Sequence, residues 1–151
     1  MKLNDNLISL GIESYSNKVL RFIKKGGTEK KIREAIKHVT DFGFKVRLFF
    51  IIGFPYETKK SLKRFYTFIL RYPIHQVRFF NLIPYERTEL MDWLRINGKL
   101  LYLPDEYMNY FAKYRDIPVF EARYTMSPED RAKELRIARK IAAIMEKKNK
   151  L

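Results

Sequence analysis

The apolar positions of this chain switch period several times, and the stretch that organises the rest is Lys45 to Thr58, KVRLFFIIGFPYET. Its run of apolar, aromatic and β-branched residues, bounded by Gly53 and Pro55, predicts a strand buried on both faces. Such strands belong to parallel sheets covered by helices, and ligands there sit beyond the carboxyl ends of the strands. Chemistry, if the chain performs any, is therefore expected on the turn from Gly53 to Glu57.

The segments on either side follow from the same reading. LISLGIES, residues 7 to 14, is a short apolar strand. A helix from Asn17 to about Lys25 carries Val19, Leu20 and Ile23 on one face and ends at Gly26-Gly27. Thr28 caps a second helical run to Asp41, with Ile32, Ala35, Ile36 and Val39 in one stripe, and Gly43 stops it. After the central strand, Thr58 or Ser61 starts a helix that aligns Leu62, Phe65 and Ile69 and ends at Pro73. HQVRFFNLI, from His75 to Ile83, is the third strand. Strands alternating with helices in this way make consecutive βα units, so the sheet should be parallel.

Beyond the third strand the pattern changes. Thr88 to Asn97 reads as a short helix with Leu90, Met91, Trp93 and Leu94, and a tyrosine-rich segment follows, with a helix expected from Pro104 to Tyr114. Those aromatics are either a packed cover over the domain or a stacking surface for bases. The last helix has Ser127 as cap, Pro128 at its first position and Glu129 and Asp130 at the positive end of its dipole. Leu135, Ala138, Ile141, Ala142 and Met145 form its apolar stripe, and Arg131, Arg136, Arg139 and Lys140 are assigned to a solvated face. The fold expected is α/β, a partial (half) TIM-like barrel of three parallel strands in consecutive βα units followed by C-terminal helices. Residues 1–98 would form the partial barrel and 99–151 a helical extension packed on it.

Composition narrows the chemistry. The 151 residues suit one compact domain. Net charge is +14, from 31 Lys and Arg against 17 Asp and Glu. That balance permits a nucleic acid or another acidic partner, while the plainer reading is a Lys-rich protein of a hot environment. No apolar run reaches the length of a membrane span, and MKLNDNLISLG lacks a signal-peptide core, so a cytoplasmic location is expected. Zero cysteines exclude disulfides, thiolate zinc, cysteine nucleophiles and an iron-sulfur cluster held by this chain's own thiolates. The two histidines, His38 and His75, are isolated and read as structural. There is no GxGxxG after a strand and no Walker loop.

Three strand ends line up: GIESYS at 11–16, IIGFPYET at 51–58 and NLIPYERTEL at 81–90. In this order they resemble the second half of the catalytic barrel of radical S-adenosylmethionine enzymes, where the text runs roughly GIESGS, LGLPGET and PYPGTEL. The tail IPVFEARYTMSPEDRAKELRIARK is similar to the region after the barrel in the subgroup often fused to a cobalamin-binding domain. The resemblance implies that Glu13 and Ser14 hydrogen-bond the ribose hydroxyls of S-adenosylmethionine and that Lys25 pairs with its methionyl carboxylate. Backbone around Ile51 to Gly53 would face the adenine, with Pro55 and Glu57 shaping the turn. The plain alternatives are a helix start at Glu57-Thr58 and a solvated helix terminus at Lys25.

The departures are as informative. Tyr15 and Tyr56 stand where the family has glycine, and Glu86-Arg87 replace a Pro-Gly, which implies a relaxed or altered site. The family's CxxxCxxC loop, which holds the [4Fe-4S] cluster that cleaves S-adenosylmethionine, has no counterpart here, and neither does its Gly-Gly-Glu. The chain is therefore expected to be incompetent for radical chemistry alone, the cluster coming only from a separate N-terminal half. A half barrel would leave an open strand edge and an uncovered inner face. Pairing with a separate chain carrying the first strands, self-association, or tail helices folded over the open side would each relieve this. Two functional readings follow: part of an S-adenosylmethionine-binding iron-sulfur enzyme, or a non-catalytic remnant or basic module for RNA or another acidic partner.

Overall fold

The computed structural model describes residues 6–149. β1 (Leu7–Glu13), β2 (Lys45–Ile52) and β3 (Gln76–Asn81) form a parallel sheet in the order β1-β2-β3. Between them lie α1 (Asn17–Phe22), α2 (Glu29–Asp41) and α3 (Lys59–Arg71). This is the βα succession of a partial TIM-like barrel. α4 (Glu89–Asn97), β4 (Gly98–Leu100), α5 (Pro104–Asn109), β5 (Phe120–Ala122) and α6 (Pro128–Lys148) complete the chain. β4 and β5 pair antiparallel, a two-stranded ribbon that the sequence reading did not anticipate.

The helices start where the capping residues dictate. Thr28 accepts from Lys31 N–H, Thr58 and Ser61 form a reciprocal capping box, Thr88 accepts from Met91 N–H, and Ser127 accepts from Asp130 N–H. α1 is shorter than expected, because the backbone turns at Ile23 before reaching the glycines. α5 is shorter too, ending at Asn109 rather than Tyr114. The bend there lets Tyr107 and Tyr114 both enter one buried cluster, and Tyr107 Oη donates to the Pro84 carbonyl at 2.8 Å.

The central strand is buried on one face, not two. Val46, Leu48, Phe50 and Ile52 are buried against α2, α3 and α6, in a cluster that includes Phe65, Val77, Phe79, Leu135 and Ala138. Arg47, Phe49 and Ile51, at the alternate positions, are only half-buried, and Arg78 and Phe80 beside them on β3 are exposed. α6 does not fold over this open face. It lies with α3 on the covered side and runs along β3, where Arg139 Nη1 donates to the Phe79 carbonyl and the Gln76 amide donates to Glu146 at 2.5 Å. The tail therefore caps an edge of the sheet. A second cluster, with Phe54, Leu82, Met91, Leu94, Tyr107 and Phe120, sits beyond the strand ends.

Among the described residues no helix is long and apolar enough to cross a membrane, and no group of His, Cys, Asp and Glu could hold a metal ion.

Candidate functional site

The end of β1 carries a local distortion with a chemical consequence. Pairing with β2 shifts register between Gly11 and Glu13, and Glu13 sits at φ 64°. That left-handed residue costs about 1–2 kcal/mol in an L amino acid. It swings the carboxylate back over Gly11: a Cβ at Gly11 would lie 2.9 Å from Glu13 Oε1. Lys25 reaches the same spot from beyond α1, its Nζ 3.5 Å from Glu13 Oε1. Gly11 pairs with Phe49, which pairs with Arg78, so these residues share one row of the open face. A carboxylate and an ammonium twelve residues apart in the chain, both partly accessible, thus meet at the C-terminal edge of the sheet. Such a pair can accept from hydroxyls and bind a carboxylate.

The other residues singled out from sequence divide. Ile51 lies on the open face beside Phe80. Ser14 is turned inward, its Oγ accepting from Ser16 N–H at 3.2 Å. Pro55 and Glu57 are buried in the turn after β2. Glu57 Oε2 accepts from Gly53 N–H at 2.8 Å, so this carboxylate braces the turn from within. Gly53 is required there: φ is 123°, and a Cβ would lie 3.2 Å from Leu82 Cβ and 3.4 Å from Arg131 Cδ.

Arg131 is a correction to the sequence reading, which placed it on a solvated face. It is fully buried. Its guanidinium stacks 4.2 Å from the Phe120 ring centre and donates to the Phe120 carbonyl. The signal was present, since Arg131, Leu135, Ala138, Ala142 and Met145 follow one helical stripe. Glu134, missed as well, is buried and accepts from Tyr66 Oη at 3.0 Å. Burial pushes the Glu57 carboxyl up to about 8, against the opposing pull of the Gly53 N–H and Arg131. Burial brings Arg131 down to about 10, still charged at neutral pH. Glu57 Oε1 and Arg131 Nε and Nη1 have no hydrogen-bond partner among the described residues.

The three lost glycines have three separate outcomes. Tyr15 has no positive φ and packs into the core, stacked on Phe68 at 4.5 Å with its hydroxyl accepting from Arg33. Tyr56 keeps a glycine-like φ of 68°. Its ring lies against Phe22 and Tyr124, under the Lys18 ammonium. Arg87 also keeps φ 61° but is exposed, with no ion pair or hydrogen bond from its side chain among the described residues. Arg87→Gly is therefore expected to stabilise the fold by about 0.5–1 kcal/mol, read as a rise in thermal midpoint.

Comparison with known proteins points the same way as the three strand-end motifs. Residues 1–69 match the profile of the Radical SAM superfamily. Over that stretch the chain is similar to radical SAM proteins. It is 35% identical over 94 residues to an uncharacterized methyltransferase of Pyrococcus horikoshii, covering 62% of this chain and 20% of that protein. It is 34% identical over 116 residues to a provisionally named methylthiotransferase of Methanocaldococcus jannaschii, covering 74% and 24%. A tRNA-2-methylthio-N(6)-dimethylallyladenosine synthase of Buchnera aphidicola is 35% identical over 66 residues, covering 42% and 15%. The chain thus spans a quarter or less of each of these relatives. In a partial TIM-like barrel the face of β1-β2-β3 left open by the helices is the inner one, and Glu13 and Lys25 lie at the end of β1.

Proposed function

We propose that this chain supplies the S-adenosylmethionine-holding part of a radical SAM enzyme of the methyl- or methylthio-transferring kind. The observation that carries it is the convergence of Glu13 and Lys25 above Gly11 on the inner sheet face. The donor set fits the ligand: Glu13 can accept from a ribose diol and Lys25 can pair with the methionyl carboxylate. Gly11 leaves the room in which Glu13 lies, and Ile51 offers an apolar strand end for the adenine. Ser14, Pro55, Gly53 and Glu57 act at one remove, by holding the turns on which these groups stand.

The [4Fe-4S] group does not fit the residues present, since the chain contains no cysteine. Its thiolates must come from polypeptide outside these 151 residues, and it is that cluster which would deliver the electron that cleaves the sulfonium. Among the described residues β1 pairs with β2 alone in the sheet, and its other edge is the natural place for further strands of such a polypeptide to add. A cobalamin partner has no separate support in the geometry.

The second reading is a non-catalytic basic module, which rests on the +14 charge. In favour of the first, Tyr56 and Arg87 hold positive φ despite the strain, at positions where the motifs they resemble have glycine.

Equilibrium dialysis of S-adenosylmethionine tests the proposal, with the chain alone and with a co-expressed cluster-bearing radical SAM half. Lys25→Ala should weaken binding about tenfold, the size of one charge-assisted contact. Gly11→Ala should do the same while leaving the thermal midpoint nearly unchanged, because the added methyl meets only the mobile end of Glu13. Binding indifferent to both substitutions, or absent in both settings, would sink the assignment.

A further inference from the structure

A groove begins at the outer side of β3 and runs onto the inner sheet face. Its outer part, a cavity of about 380 Å³, is lined by Arg78, Phe80, Phe111, Arg115, Arg139 and Glu146, among others. Its inner part, about 400 Å³, shares Phe80 and Phe111 and adds Ile51, Tyr85, Thr88 and Leu90. The two parts are adjacent, with Phe80 and Phe111 lining both. Both rings are exposed large apolar groups, and Phe80 is steadied by an edge contact with Phe49 at 5.8 Å.

The charges are unevenly satisfied. Arg139 is neutralised, with Nε 2.9 Å from Asp116 Oδ1 and Nη1 on the Phe79 carbonyl. Glu146 is engaged by the Gln76 amide. Arg78 and Arg115 are exposed, and neither guanidinium has an ion pair or hydrogen bond among the described residues. Two unspent guanidinium cations thus share the outer cavity with two accessible rings. A purely apolar partner would desolvate both arginines without recompense. A simple phosphate would leave the rings unused.

We propose that this groove binds single-stranded nucleic acid, with phosphates at Arg78 and Arg115 and bases stacked on Phe80 and Phe111. Unpaired strands are the fitting form, because only an unstacked base presents its face to a side chain. The path ends on the sheet face that carries Glu13 and Lys25, so a base carried inward from Phe111 past Phe80 approaches the place where the small ligand would sit. As a substrate site the groove rests on the function proposed above; as a binding site it does not.

Fluorescence anisotropy of the full chain with labelled strands of about ten nucleotides tests it, using oligo-U RNA, oligo-dT DNA and a duplex of equal length. Phe111→Leu should weaken single-strand binding about tenfold at every salt concentration, since it keeps an apolar group and loses the ring. Arg115→Ala should weaken binding and lower the log–log salt slope by about 0.7. A Lys147→Ala, Lys148→Ala double variant, with its changes at the far end of α6, should keep the affinity. Binding of either sugar supports the groove, and their ratio tells whether a 2′-hydroxyl is read. The inference fails if the lysine variant loses as much as the groove variants, if duplex binds as tightly as single strand, or if an acidic polypeptide shows the same variant pattern. Absence of binding at about 50 mM salt also overturns it. Dialysis of S-adenosylmethionine on the same variants should show unchanged affinity, so loss of one activity leaves the other legible.

Discussion

Arg131→Ala is expected to destabilise the chain by about 3 kcal/mol, read as a lower urea midpoint at unchanged slope. Three losses combine: the volume of a fully buried side chain, the stacking on Phe120, and the donor to the Phe120 carbonyl. The guanidinium also lies against Gly53, so its removal opens a space beside the turn that Glu57 braces. α6 would lose its hold on β5 and on the end of β2 together. Arg131→Met should recover much of the loss, because it refills the volume and removes a charge whose Nε and Nη1 have no partner. A midpoint for the alanine variant within experimental scatter of the parent would show that this contact carries little.

Glu57 makes the second large effect, and its sign depends on pH. Its carboxyl titrates near 4.5 in a chain without structure and near about 8 when folded, raised chiefly by burial. Between those values the folded state holds a proton that the unfolded state has released. Stability from this group is therefore fully present below about pH 4.5 and is lost as pH rises towards about 8. Glu57→Gln keeps an acceptor for Gly53 N–H and abolishes the titration. The variant should match the parent at pH 5 and exceed it by a few kcal/mol at pH 9, on the order set by the shift. Thermal melts of both proteins across that range test this; a difference independent of pH would mean that the carboxyl is ionised throughout.

Much of the frame was legible before any coordinates. The strand ends, the capping threonines and Ser127, and the parallel βα order all follow from local patterns. Glu13, Lys25 and Ile51 were singled out only through the resemblance to radical S-adenosylmethionine enzymes. The misreadings came from places where burial overrides residue type. Arg131 was assigned to solvent by its charge, although its spacing with Leu135 and Ala138 marked it as interior. Tyr15 was counted as an eroded site glycine, yet its ring is a core element against Phe65 and Phe68. β2 was expected to be covered on both faces, because continuous apolarity carries no information about what stands opposite.

The sequence by itself determined which segments become strands and helices and which turns resemble radical SAM motifs, because periodicity, capping and turn chemistry act within a few residues. Only the tertiary structure decided that α6 joins α3 on the covered side, that the inner face stays open, and that Arg78, Phe80, Phe111 and Arg115 share a groove. Those facts depend on residues distant in the chain finding one another, and side-chain burial is set by that packing.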